Sequence, residues 1–297
     1  MTIALRDGTI VLTIAPDRGA EVRSLEVSGT ELLYRPPWEP APLPDGPLAA
    51  DAWERSWHGG WQLLWPSAGA ACAVDGVEHG FHGAGSIAPF SVAECDRQQA
   101  TLRCEIDGLR CERRYDVRDG RVRAATRFAN GSERTISLVL VEHLILGGCL
   151  AAEGTSIELA GGQVIEQAWD GSALPGCDDW PWLGNADLSV LPATSSHFVV
   201  VRDLPAGEAR IEAPGEIALG VRFDRSAYPH LWLWEERLGA TAEPWSGRGE
   251  CLAVEPSSVP STDGLAGAIA RGEASMLAPG DELSSWIELV PGSGSVQ

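Results

Sequence analysis

The stretch Thr101-Leu102-Arg103-Cys104-Glu105-Ile106-Asp107-Gly108 contains the pattern that decides the fold. From Leu102 to Ile106, apolar and polar residues alternate, which is the period of a half-buried β-strand. The run ends at Asp107-Gly108, and the next two runs end at Asp119-Gly120 and Asn130-Gly131. Dipeptides of this kind favour the tight turns of β-hairpins. The segment therefore predicts an antiparallel sheet built from successive hairpins.

The same alternation extends over most of the chain. Thr9 to Ile14 and Val22 to Val27 are predicted strands, and so are Ala209 to Glu212 and Ile217 to Phe223. Helical periodicity is nearly absent, and the best helix candidate, Gly264 to Gly272, is short. We therefore predict a large antiparallel β-protein with two packed sheets. No repeat or linker divides the sequence, so a single domain over residues 1–297 is expected.

Composition excludes several functional classes. The chain has 297 residues, a formal net charge of -20 and no lysine, so all 22 basic residues are arginines. The absence of lysine removes Schiff-base chemistry and the phosphate-loop lysine. A chain this acidic repels nucleic acid and anionic membrane surfaces, so neither is an expected partner.

Location is predicted from the N-terminus, the apolar runs and the cysteines. The first residues lack the pattern of a secretory signal, and no apolar run approaches the roughly 20 residues of a membrane span. The seven cysteines are scattered, odd in number and contain no Cys-x-x-Cys pair. Reduced thiols in a cytoplasmic protein are therefore expected.

Two irregular segments and the tryptophans carry further information. Arg35 to Pro47 carries six prolines and is predicted to be a surface excursion, whereas Trp169 to Asn185 is predicted to be a long loop over one face. Most of the 12 tryptophans are expected in the core or at its rim. Some of those around Gly59-Gly60 and in the long loop are candidates to line a carbohydrate cleft, since an apolar ring face stacks on the C–H face of a sugar.

The strongest chemical signal is the carboxylate in Cys251-Leu252-Ala253-Val254-Glu255-Pro256. Burial of an ionised carboxylate is costly unless it is paired or lines a pocket, so Glu255 is expected to face a cavity. His82, in Gly80-Phe81-His82-Gly83, and His143, in Val141-Glu142-His143-Leu144, are its candidate partners. One carboxylate and two imidazoles from three distant segments indicate acid–base chemistry in one cleft.

Other functional interpretations of these residues have less support in the sequence. His79 and His82 are three residues apart and would point to opposite faces of a strand, so both reach one pocket only if the segment turns. Histidines with a glutamate could ligate iron or zinc, but no His-x-His pair or compact ligand spacing is present. A serine hydrolase is disfavoured because the chain lacks a Gly-x-Ser-x-Gly elbow. We therefore predict no metal and no cofactor.

Five groups of segments form an ordered series of motifs along nearly the whole chain: Gly19 to Leu25 with Glu31 to Tyr34; Gly59 to Pro66; His82-Gly83, with His79-Gly80 as the alternative; Glu142 to Gly147; and Pro244 to Arg248 leading to Ala253 to Pro256. In this order they resemble the first hairpin, the Gly-Gly-x-Pro-x-x-x-Pro segment, the first and second histidine motifs and the closing motif of one family. That family is the aldose 1-epimerase (galactose mutarotase-like) family.

The resemblance implies a β-supersandwich fold, a sugar bound on one open sheet face, and exchange of sugar anomers without a cofactor. It implies that Glu255 is the base and His143 the acid, and that His82, or alternatively His79, forms a hydrogen bond with the ring oxygen. The residues expected to bind the substrate are His79, Trp61, Gln62, Asp178, Asp179 and Arg248. The arginine segment that follows the first motif in well-known galactose mutarotases is not evident, and their sugar-binding aspartate has no clear match beyond Asp170, Asp178 and Asp179, which leaves the substrate open.

Three alternatives stay open beside an epimerase of free sugars. A hexose-6-phosphate 1-epimerase would share the fold and chemistry but needs basic side chains for the phosphate. A non-catalytic carbohydrate-binding protein would keep the tryptophans without needing Glu255 and His143. A metal-dependent sugar isomerase would contain bound metal. In each case the expected partner is a small carbohydrate, and the chain is expected to be a monomer or homodimer.

Overall fold

Strands dominate the part of the chain that the computed structural model describes, which is residues 2–166, 185–187, 195–215 and 217–293. The strands are β1 (Ile3–Asp7), β2 (Ile10–Ala15), β3 (Glu21–Val27), β4 (Thr30–Glu31), β5 (Trp61–Leu64), β6 (Cys72–Val74), β7 (Val77–His79), β8 (Ser91–Cys95), β9 (Gln99–Ile106), β10 (Leu109–Arg118), β11 (Arg121–Asn130), β12 (Ile136–Leu138), β13 (Val141–Leu146), β14 (Ser156–Leu159), β15 (Gln163–Glu166), β16 (Asn185–Asp187), β17 (Ser195–Arg202), β18 (Glu208–Ala213), β19 (Ile217–Phe223), β20 (His230–Arg237), β21 (Glu250–Ser257), β22 (Ser275–Leu277) and β23 (Glu282–Ser293). The described helices are α1 (Ala50–Arg55) and α2 (Gly264–Arg271), with 3-10 turns at Ala84–Ser86 and Gly148–Ala151.

These strands form two large antiparallel sheets. Among the described residues, the first sheet has ten strands in the order β1-β2-β3-β5-β13-β21-β20-β17-β15, with β4 paired to β3. The second has nine in the order β16-β14-β18-β19-β23-β11-β10-β9-β8, and β12-β22 and β6-β7 are small separate pairs. Every described strand pair is antiparallel. The prediction of a large antiparallel β-protein with two packed sheets is confirmed.

The main core lies between the two sheets and leaves the other face of the first sheet for the site. One buried cluster joins Leu12 and Val254 of the first sheet to Tyr115 and Leu289 of the second. Because successive strand residues point to opposite faces, every second residue of the central strands points away from this core. Those outward residues pack instead in two smaller clusters under α1 and α2.

The hairpin prediction is confirmed at two of its three dipeptides. Asp107 and Asp119 have φ angles of 51° and 53°, and they lie between β9 and β10 and between β10 and β11. The expectation was wrong at Asn130-Gly131, where β11 ends without a hairpin to β12. There the Asn130 side chain donates to the carbonyls of Arg134 and Leu277 and accepts from the Ser132 amide, so it closes a loop instead of a tight turn.

The helix predicted over Gly264 to Gly272 is confirmed as α2, which ends at Gly272 in a left-handed conformation. The segment 35–47 is free of helix and strand, in agreement with its prolines. Helix α1 was not predicted, since six residues are too few to show a helical period. Neither helix of the described residues has the length and apolar content needed to span a membrane.

Candidate active site

A cavity of about 570 Å³ opens on the outward face of the first sheet. Its volume is typical of small-molecule sites. Among its lining residues are His82, His143 and Glu255. The structure thus brings together the carboxyl and the two imidazoles that the sequence suggested from three distant segments.

Strand alternation explains why His143 and Glu255 face the cavity. On β13, Leu144 points into the main core, and Glu142 bonds Arg113 of the second sheet, so His143 between them points outward. On β21, Leu252 and Val254 lie in the main core, so Glu255 points outward on the neighbouring strand. Both residues are nearly inaccessible to solvent, with exposed fractions of 4% for His143 and 3% for Glu255.

His82 reaches the same cavity through a sharp turn. Its φ angle is +62°, a left-handed conformation that non-glycine residues rarely adopt and that is often found at functional sites. The following Gly83 has a φ angle of +72°, and a Cβ atom there would lie 2.4 Å from the Ser67 carbonyl oxygen. Glycine is therefore required at residue 83, and its turn separates His82 from β7.

The geometry of the three groups is compact. The Nε2 atom of His143 lies 3.9 Å from Oε1 of Glu255, and the ring centroids of His82 and His143 are 5.0 Å apart. The Gly69 amide donates to Nδ1 of His82 at 3.1 Å. A nitrogen that accepts a hydrogen bond carries no hydrogen, so neutral His82 has its hydrogen on Nε2 and is a donor there.

Burial shifts the protonation of all three groups toward their neutral forms. It raises the pKa of Glu255 well above its usual value of 4.5. It lowers the pKa of His143 to about 3 and lowers that of His82 well below 6.5, with a smaller contribution from His143. Carboxyl groups and imidazoles with shifted pKa values in a cavity are typical of sites for proton transfer.

The rest of the described lining is mostly apolar. Six alanines and seven aromatic side chains contribute, the aromatic ones being Trp53, Trp57, Phe81, Phe198, Trp232, Trp234 and Trp245. The further polar side chains that line the cavity include Glu54, whose Oε2 accepts a hydrogen bond from Nε1 of Trp245 at 3.2 Å. Burial raises the pKa of Glu54. No arginine is among the lining residues in the described part of the chain.

Several residues expected to bind substrate lie elsewhere. Trp61 is fully buried on the core face of β5 and donates from Nε1 to Glu142 at 2.7 Å, because residue 61 has the opposite strand parity to residue 62. His79 belongs to β7, pairs with Cys72 and lines a separate small cavity, since the turn after it redirects the chain. Arg248 donates to the Pro244 carbonyl at 3.2 Å and does not line the cavity.

Gln62 also does not line the cavity, but it contacts a residue that does. Its Oε1 atom lies 3.1 Å from Nδ1 of His143, so it lies behind the imidazole and not against a ligand. Asp170, Asp178 and Asp179 fall outside the described residues, so their role as sugar-binding residues stays a prediction.

Among the lining residues that were not identified from the sequence, some had a pattern that could have indicated them and others did not. Trp232 and Trp234 are two apart on β20 and therefore share one strand face. Trp53 and Trp57 were not missed, since they are two of the tryptophans around Gly59-Gly60 that the sequence offered as candidates to line a cleft, and both line the cavity, whereas Trp61 and Trp65 lie in the main core. Glu54 had no signal, because its place in the cavity depends on the short α1. Among the described residues, no group of three or more His, Cys, Asp or Glu side chains is arranged to hold a metal ion.

No protein family model matches the sequence, and neither does any curated protein. Solved structures with the same fold do match. The Slr1438 protein of Synechocystis is 18% identical with a TM-score of 0.74, and the match covers 99% of this chain and 96% of that one. A provisionally assigned aldose 1-epimerase of Escherichia coli is 15% identical with a TM-score of 0.76, and the match covers 99% of both chains.

A galactose mutarotase-like protein of Lactobacillus casei is 14% identical with a TM-score of 0.66, and the match covers 98% of this chain and 100% of that one. Identities this low establish shared architecture, while activity has to be argued from the site itself. The chain has the fold of the galactose mutarotase-like proteins.

Proposed function

We propose that this protein is an isomerase of the aldose 1-epimerase type, which interconverts the α and β anomers of an unphosphorylated sugar. The observation that carries the proposal is the convergence of Glu255, His143 and His82 on one aromatic-lined cavity. Tryptophan ring faces suit the C–H faces of a pyranose, and the three titratable groups suit proton transfer at its anomeric centre.

Exchange of anomers requires two proton transfers and no redox step. One group takes the proton of the C1 hydroxyl, the bond between C1 and the ring oxygen breaks with its electron pair on that oxygen, and a second group protonates it. Rotation about C1–C2 and reclosure by the reverse transfers give the other anomer. Ring opening and ring closure each take one proton from the sugar and return one to it. A pair of side chains that shares one mobile proton is therefore regenerated when the ring closes.

Glu255 and His143 are suited to be that pair. Because burial disfavours charge on both, we assign the mobile proton in the empty cavity to the Glu255 carboxyl and the lone pair to Nε2 of His143. His143 then accepts the hydroxyl proton while Glu255 donates to the ring oxygen, and the roles reverse on closure. The assignment from sequence, Glu255 as base and His143 as acid, has the same number of protons and corresponds to the charged form of this pair.

The described lining supports a neutral substrate over a phosphorylated one. Its acidic side chains in the described residues are those of Glu54 and Glu255, and no arginine is among the described lining residues, so a phosphate would find no cationic partner there. The carboxyl of Glu54 could accept hydrogen bonds from sugar hydroxyls, and Nε2–H of His82 could donate to the ring oxygen. These features favour a free sugar over a hexose 6-phosphate.

The test is anomer exchange measured by NMR on a panel of free and 6-phosphorylated sugars, with and without a metal chelator. We expect accelerated exchange of at least one free sugar, unchanged by chelation. Glu255→Gln should lower kcat by roughly 10² or more, because it removes a proton-transfer group while keeping the shape of the site. The matched control is Glu250→Gln, at an exposed glutamate on the same strand.

Other outcomes separate the alternatives. Acceleration confined to 6-phosphates would favour a hexose-6-phosphate 1-epimerase, and loss on chelation would favour a metal-dependent isomerase. Sugar-dependent tryptophan fluorescence without any exchange would indicate a carbohydrate-binding protein. A Glu255→Gln variant with wild-type kcat and wild-type thermal midpoint would overturn the catalytic assignment.

A further inference from the structure

We infer that Gln62 is a positioning residue, anchored by Trp57, Gly59 and Glu21, that holds His143 in the tautomer with its hydrogen on Nδ1, so that Nε2 faces the cavity as a proton acceptor. The functional consequence rests on the proposed function, whereas the tautomer itself can be observed without any activity.

The orientation of the Gln62 amide follows from two neighbours with opposite requirements. Nε1 of Trp57 can only donate, and it lies 3.2 Å from Oε1 of Gln62. The carbonyl oxygen of Gly59 can only accept, and it lies 2.6 Å from Nε2 of Gln62. Exchanging the amide oxygen and nitrogen would place donor against donor and acceptor against acceptor, so only one orientation satisfies both contacts.

This orientation determines the tautomer of His143. Oε1 of Gln62 lies 3.1 Å from Nδ1 of His143. An amide oxygen can only accept, so Nδ1 must carry the hydrogen. Burial lowers the pKa of His143, so the ring is neutral near pH 7 and its Nε2 atom, on the Glu255 side, has a free lone pair.

Glu21 holds the outer side of the amide. Its Oε2 atom accepts from Nε2 of Gln62 at 3.3 Å. The carboxyl group is completely buried, and ion pairs join it to Nε of Arg18 at 3.3 Å and Nε of Arg23 at 2.7 Å. Burial of a carboxylate is costly unless it is paired, and the two arginines pair this one. The contacts run from Glu21 through Gln62 to His143, so Glu21 helps to hold the amide that orients the imidazole.

His82 has the opposite tautomer, because its Nδ1 accepts from the Gly69 amide. The two imidazoles therefore offer different Nε2 atoms, an acceptor on His143 and a donor on His82. A sugar that opens its ring needs an acceptor for the hydroxyl proton and donors near the ring oxygen. Two neutral histidines with complementary tautomers supply both without a buried charge.

The experiment is long-range proton–nitrogen NMR of the 15N-histidine-labelled full chain at pH 7, with assignment by His143→Gln and His82→Gln. An unprotonated imidazole nitrogen resonates far from a protonated one, so each tautomer is read directly. We expect His143 with hydrogen on Nδ1 and His82 with hydrogen on Nε2. A wild-type His143 spectrum of the Nε2–H form or of the imidazolium would overturn the inference.

Substitutions at Gln62 then test its role. Gln62→Met keeps the volume and loses the acceptor, so the Nδ1–H signal of His143 should be lost or mixed, and kcat should fall about 10-fold or more with KM changed less. Gln62→Glu keeps an acceptor for the Nδ1–H of His143, but its second oxygen would face the Gly59 carbonyl and Glu21, which both accept, so we expect it to restore the Nδ1–H form only as the protonated acid. Gln98→Met, at a glutamine that donates to Asp7 far from the cavity, is the control.

The failure of this inference and that of the proposed function give different results. If no sugar shows exchange but the two tautomers are as expected, the positioning role stands and the proposed function fails. If exchange occurs but Gln62→Met keeps both the Nδ1–H signal and kcat, the positioning role is wrong and the proposed function stands.

Discussion

At the scale of single residues, the enclosure of His143 has a consequence for stability that does not depend on catalysis. Burial lowers the pKa of its imidazole to about 3 in the folded chain, against an ordinary value of 6.5. Between those values the unfolded chain binds a proton that the folded chain does not. The free energy of unfolding therefore falls as the pH is lowered through this window.

Replacing the imidazole should remove this pH dependence. His143→Gln should flatten the curve of unfolding free energy against pH between pH 7 and pH 5, by up to about 1.4 kcal/mol per pH unit below 6.5. Urea unfolding at several pH values measures it. The raised pKa of Glu255 acts in the opposite sense, with stability falling as the pH rises above 4.5, but both proteins contain Glu255, so this contribution largely cancels in the difference.

The control for this prediction is His79→Gln. That imidazole is half-buried outside the cavity, and its pKa is also lowered by burial. A smaller change in slope is expected there, because water still reaches the ring. Parallel curves for wild type and His143→Gln would contradict the buried, neutral state of His143.

At the scale of elements, the entry into β5 determines where Gln62 lies. Gly60 has a φ angle of +80°, and a Cβ atom there would lie 2.1 Å from the carbonyl oxygen of Val22 on β3. Its amide donates to the Tyr34 carbonyl at 2.9 Å. Close approach of two backbones therefore requires glycine two residues before Gln62.

We expect Gly60→Ala to lower the free energy of unfolding more than Gly76→Ala. Gly76 has a similar φ angle of +78°, but a Cβ atom there would have no neighbour within 4 Å. Both substitutions incur the backbone cost of about 1–2 kcal/mol for a side chain in this conformation. The clash should add roughly 1–3 kcal/mol at residue 60 alone. Equal urea midpoints for the two variants would show that β3 and β5 are further apart than described.

At the scale of the whole molecule, a buried ion pair joins the two sheets. Nη2 of Arg113, on β10 of the second sheet, lies 2.7 Å from Oε2 of Glu142, on β13 of the first. Both side chains are fully buried. Glu142 also accepts from Trp61 and Tyr228, and Arg113 donates to Thr126 and to Tyr115. The back of the strand that carries His143 is therefore held by a satisfied polar network.

Removal of one partner of this ion pair should lower the free energy of unfolding strongly. Arg113→Met leaves the Glu142 carboxyl buried without its cation, and we expect a loss of about 3–5 kcal/mol in unfolding free energy. The double variant Arg113→Met with Glu142→Leu should recover part of it, but not all, because Trp61 and Tyr228 lose their acceptor. Urea unfolding of both variants measures this difference.

An exposed ion pair provides the comparison. Arg103→Met, at a pair with Glu112 on the outer face of the second sheet, should cost no more than about 1 kcal/mol. A loss of that small size for Arg113→Met would mean that water reaches the buried network.

Local sequence was sufficient for the β architecture and for three of the residues that meet in the cavity. The alternation of apolar and polar residues is a local property of the sequence. Strands β2, β3, β18 and β19 could therefore be predicted from it to within one residue at each end. Glu255 was identifiable because a carboxylate at the end of an apolar strand contradicts the pattern around it. His143 and His82 were identifiable as its partners, and the structure brings all three together.

Only the tertiary structure decided which neighbours of these residues share the cavity. Successive residues of β5 point to opposite faces of the sheet, so Trp61 points into the core and Gln62 lies behind His143. Which of the two points into the core depends on how β5 pairs with its neighbouring strands, and the motif alone does not contain that information. The turn at His82 keeps His79 out of the cavity. Glu54 enters the cavity from α1, a helix of six residues that is too short to show a helical period in the sequence. Contacts of this kind join residues far apart in the chain, so they depend on strand order and packing, which local patterns do not contain.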